Sequence, residues 1–335
     1  MAIYSLNVSV ISRADGHSSV AASAYRRGIS LTDEQTGKTH DYSKRNTPIY
    51  NEISIPENAP QWVKDLKILN EQTPEKAASL LWNAVEEKEP QWNSELSREY
   101  RIALPIELTA IENVELVRSF VESTFSSQGI ISDWSIHFDA GNPHVHIMNS
   151  TRLLEDEGFG NKIRKLPKLK FLYEVRQAWE NHANHALRQK GLEVRIDRRS
   201  NKERGIALKP TKHLGKSVID QERRGIKTER MKEMRAIQAE NLKILAQQPE
   251  LLTEALTHES PVFTHEKMIQ TVLRYTNPHD AHNNVLSPSQ LSENERNYAR
   301  DIRDTLKRQT VTESIEPTNT DTTVVEPSVV SAVLI

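Results

Sequence analysis

At 335 residues with 36% hydrophobic content, the chain can bury one large core or two smaller ones. It contains no cysteine, which excludes disulfides, zinc–thiolate sites and thiol catalysis and leaves histidine and carboxylates as the strong metal ligands. The net charge of −2 hides an asymmetry. Residues 152–240 hold 23 Lys/Arg against 13 Asp/Glu, a net of +10, and the remainder carries −12, as expected of a polyanion-binding surface beside acidic flanks. The opening "MAIYSLNVSVISRADG" lacks the basic-then-apolar pattern of a signal peptide. No run reaches the roughly 20 apolar residues of a membrane span, so the expectation is a cytoplasmic protein without membrane contact.

In chain order, "IYSLNVSVIS" alternates, with Tyr4, Leu6, Val8 and Val10 on one side, and predicts a half-buried strand. "RADGHSSVAASAYRRG" predicts a turn at Gly16 and a short helix capped by Ser18 or Ser19 and stopped by Gly28. Residues 29–58 read as polar loop with short strands, punctuated by Pro56 and Pro60. Ala77, Leu80, Leu81 and Val85 mark an amphipathic helix over Pro74 to Glu89. "REYRIALPIEL" is a strand closed by Pro105, and Ala110 to Gly129 a helix ending at glycine. A long basic helix follows, with Leu172, Val175, Trp179, Ala183 and Leu187 inward, and "LEVRI" reads as a last strand. Residues 216–247 are charged and helical, residues 262–276 can form one more helix, and the Thr/Glu/Pro/Val/Ser content from about Thr310 predicts disorder. Strands separated by helices, with a hairpin among them, favour an α+β fold with an antiparallel sheet.

The hairpin is "SIHFDAGNPHVHIMNS". With residues 140–143 as the turn, Asp139 faces His144 and His137 faces His146, so all four share one face. Neighbouring strands lie about 4.8 Å apart and alternate residues about 6.8 Å apart, and imidazoles leaning inward from such positions can converge on one ion. The bland alternative is a pair of surface histidines and one core-edge histidine. A histidine-triad nucleotide hydrolase also uses His-x-His but needs a further histidine where this chain has Met148. A metal on neutral ligands polarises a phosphoryl oxygen. Without cysteine the nucleophile is water, Ser/Thr or Tyr. Tyr25 stands on the small-residue helix beside Arg26 and Arg27, which can neutralise phosphate. Tyr42 in "HDYSKR" is the rival phenol.

Five blocks in order, "AIYSLNVSVISRADGHSSVAASAYRRG", "HDYSKR", "REYRIALPIEL", "HFDAGNPHVHIMNSTR" and "VRIDRRSNKERGIALKPTKHLG", resemble the MobA/MobL family of plasmid mobilisation relaxases. These are HUH endonucleases, and His144-Val145-His146 supplies the His-hydrophobe-His motif. The resemblance spans about residues 1–216. It implies a relaxase fold of central antiparallel sheet flanked by helices, with a helical C-terminal extension. It also implies nicking at a transfer origin by a tyrosine that becomes a 5′-phosphotyrosyl ester, later religated. Carried onto this chain, Tyr25 is the nucleophile. His137, His144 and His146 hold a divalent metal, Mg²⁺ or Mn²⁺. Glu99 is a ligand or proton acceptor, and Asp139 orients a histidine or helps deprotonate Tyr25.

The partner implied is single-stranded or hairpin DNA at the origin, with auxiliary mobilisation proteins and a type IV coupling protein, in a bacterial, plasmid-encoded setting. Arg26, Arg27, Arg152, Lys162, Arg164, Lys165, Lys168, Arg198 and Arg199 are the expected phosphate contacts. The division expected is a relaxase domain over 1–216, a basic helical linker over 217–248, a small helical region over 249–309 and a disordered tail over 310–335. No Gly-x-x-x-x-Gly-Lys loop occurs, so no ATPase is expected; the acidic end is read as a recruitment tail. The alternatives are a rolling-circle replication initiator of the same superfamily and a catalytically inert DNA-binding protein.

Overall fold

The structure is a computed structural model. It describes residues 4–45, 48–139, 142–211, 214, 216–248, 250–251, 271–272 and 275–276. Most of the expected helix over 262–276, the accessory region and the tail lie outside the described residues. The elements are β1 (Leu6–Ser12), α1 (Ser19–Arg27), β2 (Ser30–Asp33), β3 (Lys38–Asp41), β4 (Tyr50–Ser54), α2 (Gln61–Gln72), α3 (Pro74–Lys88) and β5 (Glu95–Ala103). They continue with α4 (Ala110–Thr124), β6 (Ser132–Asp139), β7 (Asn142–Ser150), β8 (Arg152–Glu155), β9 (Gly158–Lys162), α5 (Leu169–Gln189), α6 (Lys216–Arg223) and α7 (Glu229–Gln247). Two compact units divide at Arg198/Arg199.

In the first unit, β1, β5, β7, β6 and β4 form an antiparallel sheet in that order, which makes the fold α+β with a central antiparallel sheet. One face carries Leu6, Tyr100, Ile102, Trp134, Ile136, Val145 and Ile147, packed with Phe120 of α4 and Val175, Trp179 and Ala183 of α5. Burying each Val, Ile or Phe side chain there contributes about 1.5–3 kcal/mol. On the other face Ile11, Ile53 and Met148 pack with Val20 and Ala24 of α1 and with α2 and α3. That second layer covers only one end of its face, and the histidines occupy the open end.

Several expectations need correction. Val10 is exposed, whereas Ile11, on the opposite face of the same strand by alternation, is buried in the second layer. Leu80 is 47% exposed, while Leu81 and Trp82 are buried, and Phe171 is more buried than Leu172 on α5. The "LEVRI" segment joins no ladder. Its side chains pack on the α4/α5 layer, and Asn184 of α5 both accepts from the Ile196 N–H and donates to its carbonyl, meeting the backbone demand a partner strand would have met. The helix α2 and the β8–β9 ribbon are additional elements.

In the second unit, Ile206, Leu208, Leu245, Val272 and Tyr275 form one cluster, and Leu214, Met231 and Met234 another. Asn201 and Asn241 are buried amides bonded to the backbone carbonyls of Leu208 and Lys209, respectively. Among the described residues no helix is long and apolar enough to cross a membrane.

Candidate active site

The hairpin register differs by two residues from the expected one. His137 pairs with His144, Asp139 with Asn142, and Ser135 with His146, so the ladder runs to Asp139 and Asn142 and leaves only residues 140 and 141 between the strands. Asp139 therefore does not face His144. A two-residue slip preserves which face each side chain takes, so His137, His144 and His146 still share one surface. Their ring centroids form a near-equilateral triangle of 5.1, 5.3 and 5.5 Å.

Metal–nitrogen bonds of about 2.1 Å at tetrahedral angles place imidazole centroids about 5 Å apart, so the backbone spacing fits one ion. As the rings stand, no group of three His, Asp or Glu among the described residues closes around a point.

Glu99, across the β5–β7 ladder, supplies the supporting contacts. Its Oε1 accepts from His146 Nδ1 at 2.6 Å and from Arg26 Nε at 2.5 Å. Its Oε2 accepts from Arg26 at 2.5 Å and from Ser9 Oγ at 3.1 Å. Burial pushes the Glu99 carboxyl up, but hydrogen bonds and charge from His146 and Arg26 outweigh it and hold the group well below the usual carboxylate range. Burial holds His146 below the usual imidazole value, with Arg26 and His144 adding to this and Glu99 opposing it. A neutral His146 donating from Nδ1 presents Nε2 outward, the tautomer that a ligand histidine needs. That hydrogen bond to a charged, buried carboxylate is the feature that makes the donor set suited to a divalent ion.

Tyr25 is fixed through its helix. Ser18 caps α1, and Gly28, at φ 65°, ends it. Glu86 of α3 accepts from the Ser19 N–H and Oγ at the helix N-terminus, where the helix dipole favours an anion. Ser23 and Arg27 both bind Asp133 of β6, and Arg26 binds Glu99 of β5. The Tyr25 ring is 40% exposed and lies edge-on to Tyr42 at 5.3 Å, with the Arg45 guanidinium carbon 3.9 Å from its centre. Tyr25, Arg26, Glu99, His137, His144 and His146 line one cleft of about 790 Å³, joined by Asn7, Ser9, Lys44, Arg45 and Arg101. Tyr42 packs instead against the second core layer.

The other expected residues stand elsewhere. Arg27 is 2% exposed and is held by Asp133, Asn51 and Asn70; burial removes it from any phosphate. Arg152 and Lys162 both pair with Glu89 and brace the β8–β9 ribbon against α3. Arg198 pairs with Glu180, and Lys165 bonds Gln128. Arg164 and Lys168 are exposed, flanking Ile163 and Leu166, which enter the core on the face opposite the histidines. Arg199 opens the second unit. The Asp139 side chain lies outside the described residues. Lys44, Arg45 and Arg101 were given no role by the sequence. The signal for the first two was the motif "HDYSKR", and for Arg101 its place two residues after Glu99 on one strand.

An α+β protein with three histidines on its central hairpin and a tyrosine-bearing helix facing them is the class this fold and site define. The model of the MobA/MobL family matches residues 17–224. The chain is 33% identical over 304 residues to the conjugal transfer protein TraA of Rhizobium radiobacter, covering 82% of this chain and 27% of that one. It is 31% identical over 259 residues to the mobilization protein MobL of Acidithiobacillus ferridurans, covering 67% and 65%. A solved structure described as "Molecular Basis of Vancomycin Resistance Transfer in Staphylococcus aureus" matches at 32% identity and a TM-score of 0.53, over 59% of this chain and 100% of that one. The chain belongs to the MobA/MobL family. It spans 27% of the length of the TraA relative.

Proposed function

We propose that the first unit is a relaxase, a strand transferase that nicks one DNA strand at a transfer origin through Tyr25. The observation that carries this reading is the shared cleft, in which the Tyr25 phenol and the three histidines face the same space. The names of the relatives, conjugal transfer and mobilization proteins, support the setting. Tyr25 Oη forms a bond to phosphorus as the bond from phosphorus to the 3′ oxygen breaks. The phenol proton is lost to solvent, the leaving oxygen takes a proton, and the products are a 5′-phosphotyrosyl ester and a free 3′-hydroxyl. The ester retains the bond energy, so the same steps in reverse rejoin the strand.

His137, His144 and His146 would hold a divalent ion, which when bound polarises the phosphoryl oxygen. Glu99 is a positioning residue. Both its oxygens are occupied, so it orients His146 and fixes Arg26 and takes no proton from Tyr25.

The test is incubation of the purified chain with a single-stranded oligonucleotide spanning its origin and Mn²⁺, followed by mass spectrometry of the adduct. A tyrosyl–DNA junction at Tyr25 is the expected result, and absence of any adduct refutes the reading. Glu99→Gln is expected to lower nicking about 10–100-fold, with part of the loss recovered at higher Mn²⁺. A loss that no Mn²⁺ concentration improves would argue against the orienting role.

A further inference from the structure

Among the described residues, two guanidiniums in the cleft have no carboxylate partner. Arg26 is held by Glu99 and the Ala22 carbonyl, and Lys44 lies beside Asp41, whose carboxyl the Ser43 hydrogen bonds hold below its ordinary range. Arg101 is exposed on β5, paired across the ladder with His146 and therefore on the histidine face. Arg45 comes from the turn after β3, its N–H bonded to the Tyr42 carbonyl at 3.0 Å. That turn is anchored by Asp41 accepting from the Ser43 N–H and hydroxyl. Among the described residues neither guanidinium is in an ion pair, and Glu99 is the sole carboxylate among the described lining residues. Two guanidiniums that share one cleft with a single carboxylate, itself taken up by Arg26 and His146, favour the entry of an anion.

We propose that Arg45 and Arg101 form a phosphodiester-binding subsite that brackets the phosphate attacked by Tyr25, and that Arg45 also positions the phenol. The inference rests on the nicking reading above. A guanidinium presents a planar fork of donors that matches two phosphate oxygens. Arg101 approaches from the sheet and Arg45 from the Tyr25 side, so a phosphate held by both lies between the phenol and the histidines. The Arg45 guanidinium rests on the Tyr25 ring, a cation–π contact weak enough for a phosphate to replace. The phenol thus stays beneath the cation that will share its phosphate.

Binding is read first in Tyr25→Phe, which cannot react. With the origin oligonucleotide, adding Arg45→Ala or Arg101→Ala is expected to reduce the slope of log affinity against log salt by about 1 each. In the Tyr25 protein, Arg45→Ala is expected to slow adduct formation at saturating DNA about 10²-fold, and free guanidinium ion to restore part of the rate. Unchanged salt slopes overturn the subsite. A rate loss at saturating DNA with no rescue by guanidinium overturns the positioning role. If Arg45→Ala and Arg101→Ala both match the parent in rate while the parent forms the adduct, the subsite falls and the nicking reading stands. If the parent forms no adduct but the slopes change, nicking falls and the phosphate site remains.

Discussion

Tyr25→Phe is expected to eliminate the covalent protein–DNA adduct, a rate loss on the order of 10⁶-fold as for removal of other nucleophiles. Stability should change by less than about 0.5 kcal/mol. The substitution removes one oxygen from a ring that is 40% exposed. A phenylalanine retains the edge contact with Tyr42 and the face offered to Arg45. Affinity for the uncleaved oligonucleotide should therefore survive while chemistry stops. Tyr42→Phe is the control, since Tyr42 packs against the second core layer and its substitution is expected to leave the adduct intact. An adduct that persists in Tyr25→Phe and vanishes in Tyr42→Phe would assign the chemistry to the other phenol.

Asp133→Ala is expected to cost about 3–5 kcal/mol of folding stability, measured by urea denaturation. Asp133 is 4% exposed and Arg27 is 2% exposed. The carboxylate accepts from Arg27 Nε at 2.9 Å and from a terminal nitrogen at 2.7 Å, from Ser23 Oγ at 2.9 Å and from Trp82 Nε1 at 2.7 Å. Its removal strands a buried guanidinium with only the Asn51 and Asn70 side chains. The combined change Asp133→Leu with Arg27→Met is expected to recover most of the loss, because replacing both partners by apolar groups removes the unpaired charge. A cost below about 1 kcal/mol for the single change would show that this pair does not anchor α1.

Much of the site could be read from one strand of logic. Side-chain parity put His137, His144 and His146 on one face, and parity is insensitive to a two-residue error in the turn, so the wrong register still yielded the right surface. The same logic was silent on Arg27. Sequence neighbours on a helix diverge by about 100° each, so Arg26 points to Glu99 while Arg27 points into the core. Only the partner Asp133, more than a hundred residues away, reveals this. Basic residues in the Arg152–Lys168 stretch looked like a phosphate-binding run because the carboxylate that neutralises two of them, Glu89, is distant in sequence, at the C-cap of α3. The helix α2 was readable in Val63, Leu66 and Leu69, but Pro60 was taken for a break. It stands at the helix N-cap, where the missing N–H is harmless.

The histidines sit on β6 and β7, interior strands with neighbours on both sides in the order β1–β5–β7–β6–β4. Main-chain ladders therefore set the spacing of the imidazoles whether or not an ion is present. The scaffold is set by the sheet itself, so binding of an ion is expected to need no refolding. Chelation with EDTA is expected to silence nicking while the far-UV circular dichroism spectrum stays unchanged, and adding Mn²⁺ back should restore it at once. Thermal stability should then rise with free ion only as ordinary ligand linkage dictates, unlike small domains that collapse when stripped of their metal.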